Sequence, residues 1–550
     1  MFVNSNAFPH ATFDAIVVGS GISGSWAAKE LCRHQLRTLL LEKGPALAGA
    51  GQQATAFNGP GQLQPVINMH ETDLARYPVQ RQCDAFSSET SQYWVIDPEH
   101  PYQQIKPFNW YRGYHLGGRG VTWTRQCYRW SPMDFEANAK DGCGTDWPIR
   151  YRELEPWYDH VETCIGISGR NDRLPQVPDS IYTSMMEMDP VERYFSDRVQ
   201  ASYHGRIVTI GRTAYPFKTM PPASSREHRV LCSHYGNSVN LLKKAGTTGL
   251  LHVMTNSITI AVIYDEQQQR ATGVQVMDAI SGHTTAYFAP VIFLNASTLG
   301  TTQLLLQSTS TRFPYGMGND YGILGHYLMD HHFQAGAIGE VPIRSTYRPP
   351  LGKSLNGIYI PRFRNLDDKH THHTDYLRGF AYQGISAPIP STSNANSLQR
   401  KWALRVGAWG EQLPVYSNQV KLNYNVKDKY GLPTLDINCT FGDNEHAMRA
   451  DMTTSAAEML EKAGFRSVLP FNLPPVPGHC VHEMGTARMG RDPRTSVLNK
   501  WNQLHCVPNV FITDGACMAS SACQNPSLTY MALTARAVDH AVGEMKRRNL

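Results

Sequence analysis

Apolar residues in this chain come in short runs separated by turns, and the runs differ in period. Ala15 to Val18 is an unbroken apolar run, the pattern of a strand buried on both faces. Ser25 to Cys32 then reads as a helix, and "RTLLLEKG" reads as a second apolar strand ending in Glu42. Strand, helix and strand at this spacing predict the opening unit of a parallel sheet. Farther along, residues 251–264 and 272–295 read as β structure with turns, and "VIFLNASTLGTTQLLLQS" reads as strand, small-residue turn and helix, a second half of the same fold. The segment "DWPIRYRELEPWYDHVE" predicts a helix after Pro148 with mixed charges on a solvated face. "QVKLNYNVKDKYGLPTLDINCTF" predicts a hairpin turning through Lys427 to Pro433, and "NEHAMRADMTTSAAEMLEKAGF" a helix ending at Gly464. Gln52 to Pro65, rich in Gly, Gln and Pro, predicts a loop.

The chain has 550 residues, too many for one ordinary core, so two or more packed units are expected. Its net charge of +5 is dispersed rather than clustered, which argues against nucleic acid as a partner. No apolar run is long enough to span a bilayer. The start, "MFVNSNAFPHATFDAIVVG", lacks a basic region followed by a long apolar one, so a cytoplasmic location is expected, or a periplasmic one only by export with a partner. The 11 cysteines run from Cys32 to Cys523 without a CxxC, which argues against a disulfide framework and a thiolate zinc site. His370, His372 and His373 in "DDKHTHHTD" form the one histidine cluster that suggests a metal; the polar, turn-like context favours an exposed loop, and no metal is expected.

Chemistry enters first at Gly19-Ser20-Gly21-Ile22-Ser23-Gly24, between the first strand and its helix. Gly19 permits the tight turn, Gly21 lets backbone approach a pyrophosphate, and Gly24 lets the helix pack close to the strand. Glu42 lies 18 positions after Gly24, about where an acid grips a ribose hydroxyl. The motif predicts a dinucleotide site without choosing between FAD and NAD(P). Gly117 and Gly118 in "GYHLGGRGVTWT" offer a second close approach of backbone to a ligand, and Trp123, Tyr128 and Trp130 supply aromatic surface, in the plainer reading as core.

The C-terminal stretch "HEMGTARMGRDP…TDGACMASSACQNPSLTY", with the N-terminal glycine motif, "GYHLGGRG", "LGHYLMDHH" and the "KDKYGLP" hairpin, resembles the glucose-methanol-choline (GMC) family of FAD-dependent oxidoreductases. Within it, the likeness is greatest to bacterial sugar dehydrogenases, including the flavoprotein subunits of glucoside 3-dehydrogenases. The resemblance implies an α/β fold: a Rossmann-like FAD domain assembled from residues 1–150, 245–335 and 475–550, and an α+β substrate domain, residues 151–244 and 336–474, whose sheet roofs the flavin. It implies His482, not His479, as the catalytic base and Asn525 as the second active-site group, beside the cofactor. It places Asp514 and Gly515 along the FAD pyrophosphate and ribityl chain, and Gly117 and Gly118 beside the flavin. Thr122 stands where pyranose oxidases can carry a histidine bonded to the cofactor, so FAD is expected to be non-covalent. Related subunits hold an iron–sulfur cluster through several mid-chain cysteines; here only Cys232 remains locally, and no cluster is expected. An imidazole has a pKa near 6.5, about where a general base works best, and an amide hydrogen-bonds an alcohol oxygen without competing for its proton. The expected activity is oxidation of a sugar or glycoside hydroxyl, C3 of a glucoside foremost. Other hydroxyls (C2, or a primary C6 alcohol of an aminosugar), an NAD(P)-dependent dehydrogenase and a binding protein without catalysis are the rivals. Oxygen, a quinone and a cytochrome or small subunit all stay open as electron acceptors.

Overall fold

The computed structural model describes residues 12–47, 69–215, 238–342, 356–366, 369–389 and 401–550; the loop expected over Gln52 to Pro65 and Cys232 lie outside them. Five short strands form one parallel sheet, in the spatial order Val510–Ile512, Val291–Leu294, Ala15–Val18, Thr38–Leu41, Leu251–Met254. Ala15 pairs with Val291 on one side and with Thr38 on the other. All residues of the first, second and fourth strands in chain order are buried, as strands that are apolar throughout, or in the second after its leading Thr38, require. The strand order reverses beside Ala15–Val18. At such a reversal, neighbouring connections leave the sheet on opposite faces and open a crevice at the strands' carboxyl ends.

Helix Ile22–Arg33 packs against the C-terminal helix Ser527–Lys546 and against Ser238–Gly246. The helix expected after Pro148 forms at Tyr151–Ile165. Its Tyr158 and Val161 are buried, and it lies on the C-terminal helix. Two segments on the substrate side of the expected domain division, 151–165 and 238–246, therefore pack onto the nucleotide-sheet body.

A six-stranded sheet stands over the crevice, in the order Arg466–Asn472, His332–Glu340, Trp402–Gly410, Phe380–Pro388, Ile358–Ile360, Thr209–Ile210. Side chains alternate between its faces. Leu404, Val406 and Ala408 enter a core with Met448, Met452 and Met459 of the helix Asp443–Lys462. Arg405 and Trp409 face the opposite way, into a cavity. The predicted hairpin pairs Gln419–Lys427 with Pro433–Asn438. His370 and His372 are exposed, and His373 stacks on Tyr376 with ring centroids 4.2 Å apart.

Candidate active site

A cavity of about 740 Å³ runs from the glycine turn at the end of strand Ala15–Val18 to the inner face of the six-stranded sheet. Each glycine of the turn meets a different demand. Gly19 has φ +92°, and a Cβ there would sit 2.3 Å from the Asn295 carbonyl oxygen. At Gly24 a Cβ would lie 1.8 Å from the Gly19 carbonyl oxygen, so only glycine lets the helix settle on the turn. Gly21 has nothing within 4 Å of such a carbon and lines the cavity. It caps helix Ile22–Arg33 without a side-chain hydrogen bond, so backbone N–H groups of the first turn are available to an anion.

Glu42 also lines the cavity, at the end of strand Thr38–Leu41. Its carboxylate accepts from the Ser20 N–H at 3.1 Å, the Ser20 hydroxyl at 2.5 Å and the Gly44 N–H at 2.9 Å. Burial raises its pKa, and these donors oppose the rise. The Gly117 N–H donates to the Ser20 hydroxyl at 2.8 Å, which ties the second glycine loop to the first turn from behind the cavity wall. Gly118 and Thr122 line the wall itself. Asp514, pushed up to about 6 by burial, accepts from the Thr301 hydroxyl and the Ala516 N–H, and it lines the cavity with Gly515. Tyr530 Oη, Trp94 Nε1 and Asn295 Nδ2, on residues of the same wall, are buried without a partner among the described residues. The residues present fit FAD: open helix-terminal amides for a pyrophosphate, a carboxylate one strand away for a ribose, and unpartnered polar atoms between them.

At the far end, His482 and Asn525 come together. Asn525 Nδ2 lies 3.4 Å from His482 Nε2. Burial above all, with the Arg119 charge adding to it, holds the His482 pKa well below the ordinary imidazole value. His479 lines the cavity too, against Gln334 at 3.4 Å, away from Asn525.

Several neighbours here were not singled out from the sequence, although Asp330 and His331 stand in "LGHYLMDHH", Arg119 in "GYHLGGRG" and Glu483 in "HEMGT". His331 Nδ1 faces His482 Nδ1 at 2.9 Å across 151 positions of chain. The Asp330 carboxylate accepts from the backbone N–H groups of Cys480 and His482, both at 3.1 Å, and so holds the loop that carries His482. Burial and the Glu483 charge push Asp330 up to about 7. Arg119 forms a two-pronged ion pair with Glu483, at 2.7 and 3.1 Å; burial opposes the Arg119 charge, and Glu483 outweighs it. The donor atoms of His331, Cys480 and His482 lie within 4.8 Å of one another. Hydrogen bonding accounts for this cluster: the two Nδ1 atoms face each other, and burial keeps the thiol protonated.

The sheet face opposite His482 presents aromatic rings and amides together. Phe333 stacks on Trp409, centroids 5.8 Å apart, with Gln334, Gln383 and Arg405 nearby on the cavity wall. Trp123 lines the cavity as well, whereas Tyr128 and Trp130 are core.

A family model described as "GMC oxidoreductase" matches residues 414–534, and one described as "NAD(P)-binding Rossmann-like domain" matches residues 17–70. The chain is 28% identical over 467 residues to 2-methyl-1,2-propanediol dehydrogenase of Mycolicibacterium austroafricanum, covering 78% of this chain and 80% of that protein. It is 25% identical over 563 residues to the fructose dehydrogenase large subunit of Gluconobacter japonicus, covering 97% and 98%. With a C-glycoside 3-oxidase of Arthrobacter globiformis it shares 23% identity over 430 residues, covering 77% and 72%. Its fold is that of pyridoxine 4-oxidase from "Mesorbium loti", with a TM-score of 0.61 at 16% identity over 96% of this chain and 98% of that one. Among the described residues no helix is long and apolar enough to cross a membrane.

Proposed function

The chain belongs to the GMC oxidoreductases, FAD-dependent enzymes acting on alcohol groups, and from that premise we propose that it oxidises a secondary ring hydroxyl of a sugar or glycoside, C3 of a glucoside foremost, to the ketone. The observation that carries this reading is the pairing of His482 and Asn525 in one cavity beneath a sheet face of stacked aromatics and amides. Flat rings suit the apolar faces of a pyranose, and the Gln334, Gln383 and Arg405 side chains suit its hydroxyls.

His482 takes the hydroxyl proton: the alcohol O–H bond breaks and an N–H bond forms at Nε2. Its lowered pKa keeps the imidazole unprotonated, and so able to accept, throughout neutral pH. Asn525 Nδ2 donates to the alcohol oxygen and orients it as its electrons move to form the carbonyl. Bound FAD supplies the acceptor for the carbon-bound hydrogen and its electron pair. Thr122 lies on the cavity wall at the position where the resemblance to pyranose oxidases would place a bonded histidine, and a threonine there leaves the cofactor held without a covalent link. The preference for C3 draws support from the C-glycoside 3-oxidase relative, and the sugar class from that protein and the fructose dehydrogenase large subunit.

The test is anaerobic mixing of purified protein with glucosides, free sugars and aminoglycosides while flavin absorbance is followed. A glucoside should bleach the flavin, and His482→Ala should slow that step by about 10²-fold or more while FAD stays bound. A yellow protein that no sugar bleaches would refute the substrate class, and unchanged reduction in His482→Ala would refute the base. Acid precipitation of the same sample should leave the colour in the supernatant; colour in the pellet would mean a covalent link.

A further inference from the structure

We propose that His331 is a positioning residue that fixes the tautomer of His482, leaving Nε2 bare toward the substrate. The proposal rests on the reading of His482 as the base. A neutral imidazole carries one N–H and one lone pair, so the partner of one nitrogen decides the state of the other. His331 Nε2 lies 3.1 Å from the Ser521 carbonyl oxygen, which can only accept. That nitrogen therefore holds the proton. Burial disfavours a second proton on the ring, so His331 Nδ1 is bare. His482 Nδ1, 2.9 Å away, must then be the donor, and His482 Nε2 is left with its lone pair.

A second chain of hydrogen bonds reaches the same atom from the other side. The Tyr128 hydroxyl donates to Gln126 Oε1 at 2.8 Å, which turns Gln126 Nε2 toward Gln383 Oε1 at 2.6 Å. Gln383 Nε2 donates in turn to Asn525 Oδ1 at 2.8 Å. Asn525 is thus oriented with its NH₂ toward His482 Nε2, a donor facing the nitrogen that the first chain leaves bare. The two chains share no residue before they meet at His482, and they agree. With the opposite tautomer, an N–H would face both the Asn525 NH₂ and the alcohol, and no proton could be accepted. When the base is protonated, its Nδ1–H keeps the His331 acceptor, and that bond strengthens as charge develops. The other ionisable groups around the ring are the Cys480 thiol, 3.4 Å from Nδ1, the Arg119–Glu483 pair, and Asp330 beneath the backbone.

The experiment uses the FAD-loaded enzyme. Nitrogen-15 histidine NMR at neutral pH, with the His482 signals assigned by their loss in His482→Ala, should show a protonated Nδ1 and a bare Nε2. A proton on Nε2 in the unmodified enzyme overturns the proposal, and this readout needs neither substrate nor a His331 variant that folds. His331→Leu, which removes the acceptor, should slow flavin reduction by a glucoside roughly 10- to 100-fold. It should also shift the acidic limb of the rate–pH profile to lower pH, because a base without its acceptor is weaker. His331→Gln offers Oε1 to His482 and Nε2 to Ser521, and should recover most of the rate. An unmoved limb, with Gln no better than Leu, would show a merely structural role. If His482→Ala reduces flavin normally, the base reading fails, while the NMR result still decides the tautomer.

Discussion

Gly21 and Gly24 stand three positions apart and should fail differently when a methyl group is added. Gly24→Ala drives a Cβ into the Gly19 carbonyl, which is backbone and can yield only if the helix lifts from the turn. We expect a loss of about 1–3 kcal/mol in the unfolding free energy, with or without cofactor. Gly21 has extended backbone, φ −62° and ψ −168°, and open space around it. Gly21→Ala should leave the stability of the apoprotein within about 0.5 kcal/mol, yet lower the flavin-to-protein ratio after gel filtration, because the methyl occupies the approach of the pyrophosphate. Equal destabilisation of both variants without cofactor would contradict this division of roles. The spacing of these glycines is visible in the sequence because the turn is local. His331 is not: in "MDHH" it stands beside another histidine with nothing to distinguish it, and its role comes from an imidazole 151 positions away.

At the scale of the element, strand Trp402–Gly410 serves two masters. Leu404 is fully buried in the core beneath the helix Asp443–Lys462, while Trp409 is half-buried on the cavity wall. Leu404→Ala should cost about 2–5 kcal/mol of stability and leave the KM of the remaining folded enzyme near its original value. Trp409→Ala should do the reverse, raising KM for the bleaching sugar with little change in the unfolding midpoint. Denaturant unfolding and steady-state kinetics on the two variants separate these outcomes. The alternation is faint in "WALRVGAWG" because both faces are covered, one by core and one by the cavity wall, so apolar and small residues occur on each. The side chains that this sheet face presents to the cavity were therefore not legible, whereas the hairpin through Lys427 to Pro433 was, since its turn chemistry is contiguous.

Across the whole molecule, Arg378 joins the sheet body to the nucleotide-sheet body. Its guanidinium meets Glu411 at 2.7 Å, Asn138 at 2.9 Å and the Asp141 carboxylate at 3.0 Å, and the arginine is 3% exposed. Removing it leaves Glu411 a buried acid with one fewer cation. Arg378→Met should therefore destabilise the fold by about 3–5 kcal/mol, read by chemical denaturation followed through both tryptophan and flavin signals. A change below about 1 kcal/mol would mean that Arg362, 3.7 Å from Glu411, suffices as its partner.

What the sequence determined by itself is what neighbours in the chain can enforce: the apolar strands, the glycine turn with its open helix terminus, and the acid at the next strand's end; the candidates His482 and Asn525 came from the family resemblance. Tertiary structure alone decided that His331 meets His482 on the side away from Asn525, and which amides and rings form the opposite wall. These depend on pairings such as His331 with His482 and Gln383 with Asn525, 151 and 142 positions apart. Hydrogen-bond direction passes through such contacts only once packing has brought the partners together, so no local pattern of residues encodes it.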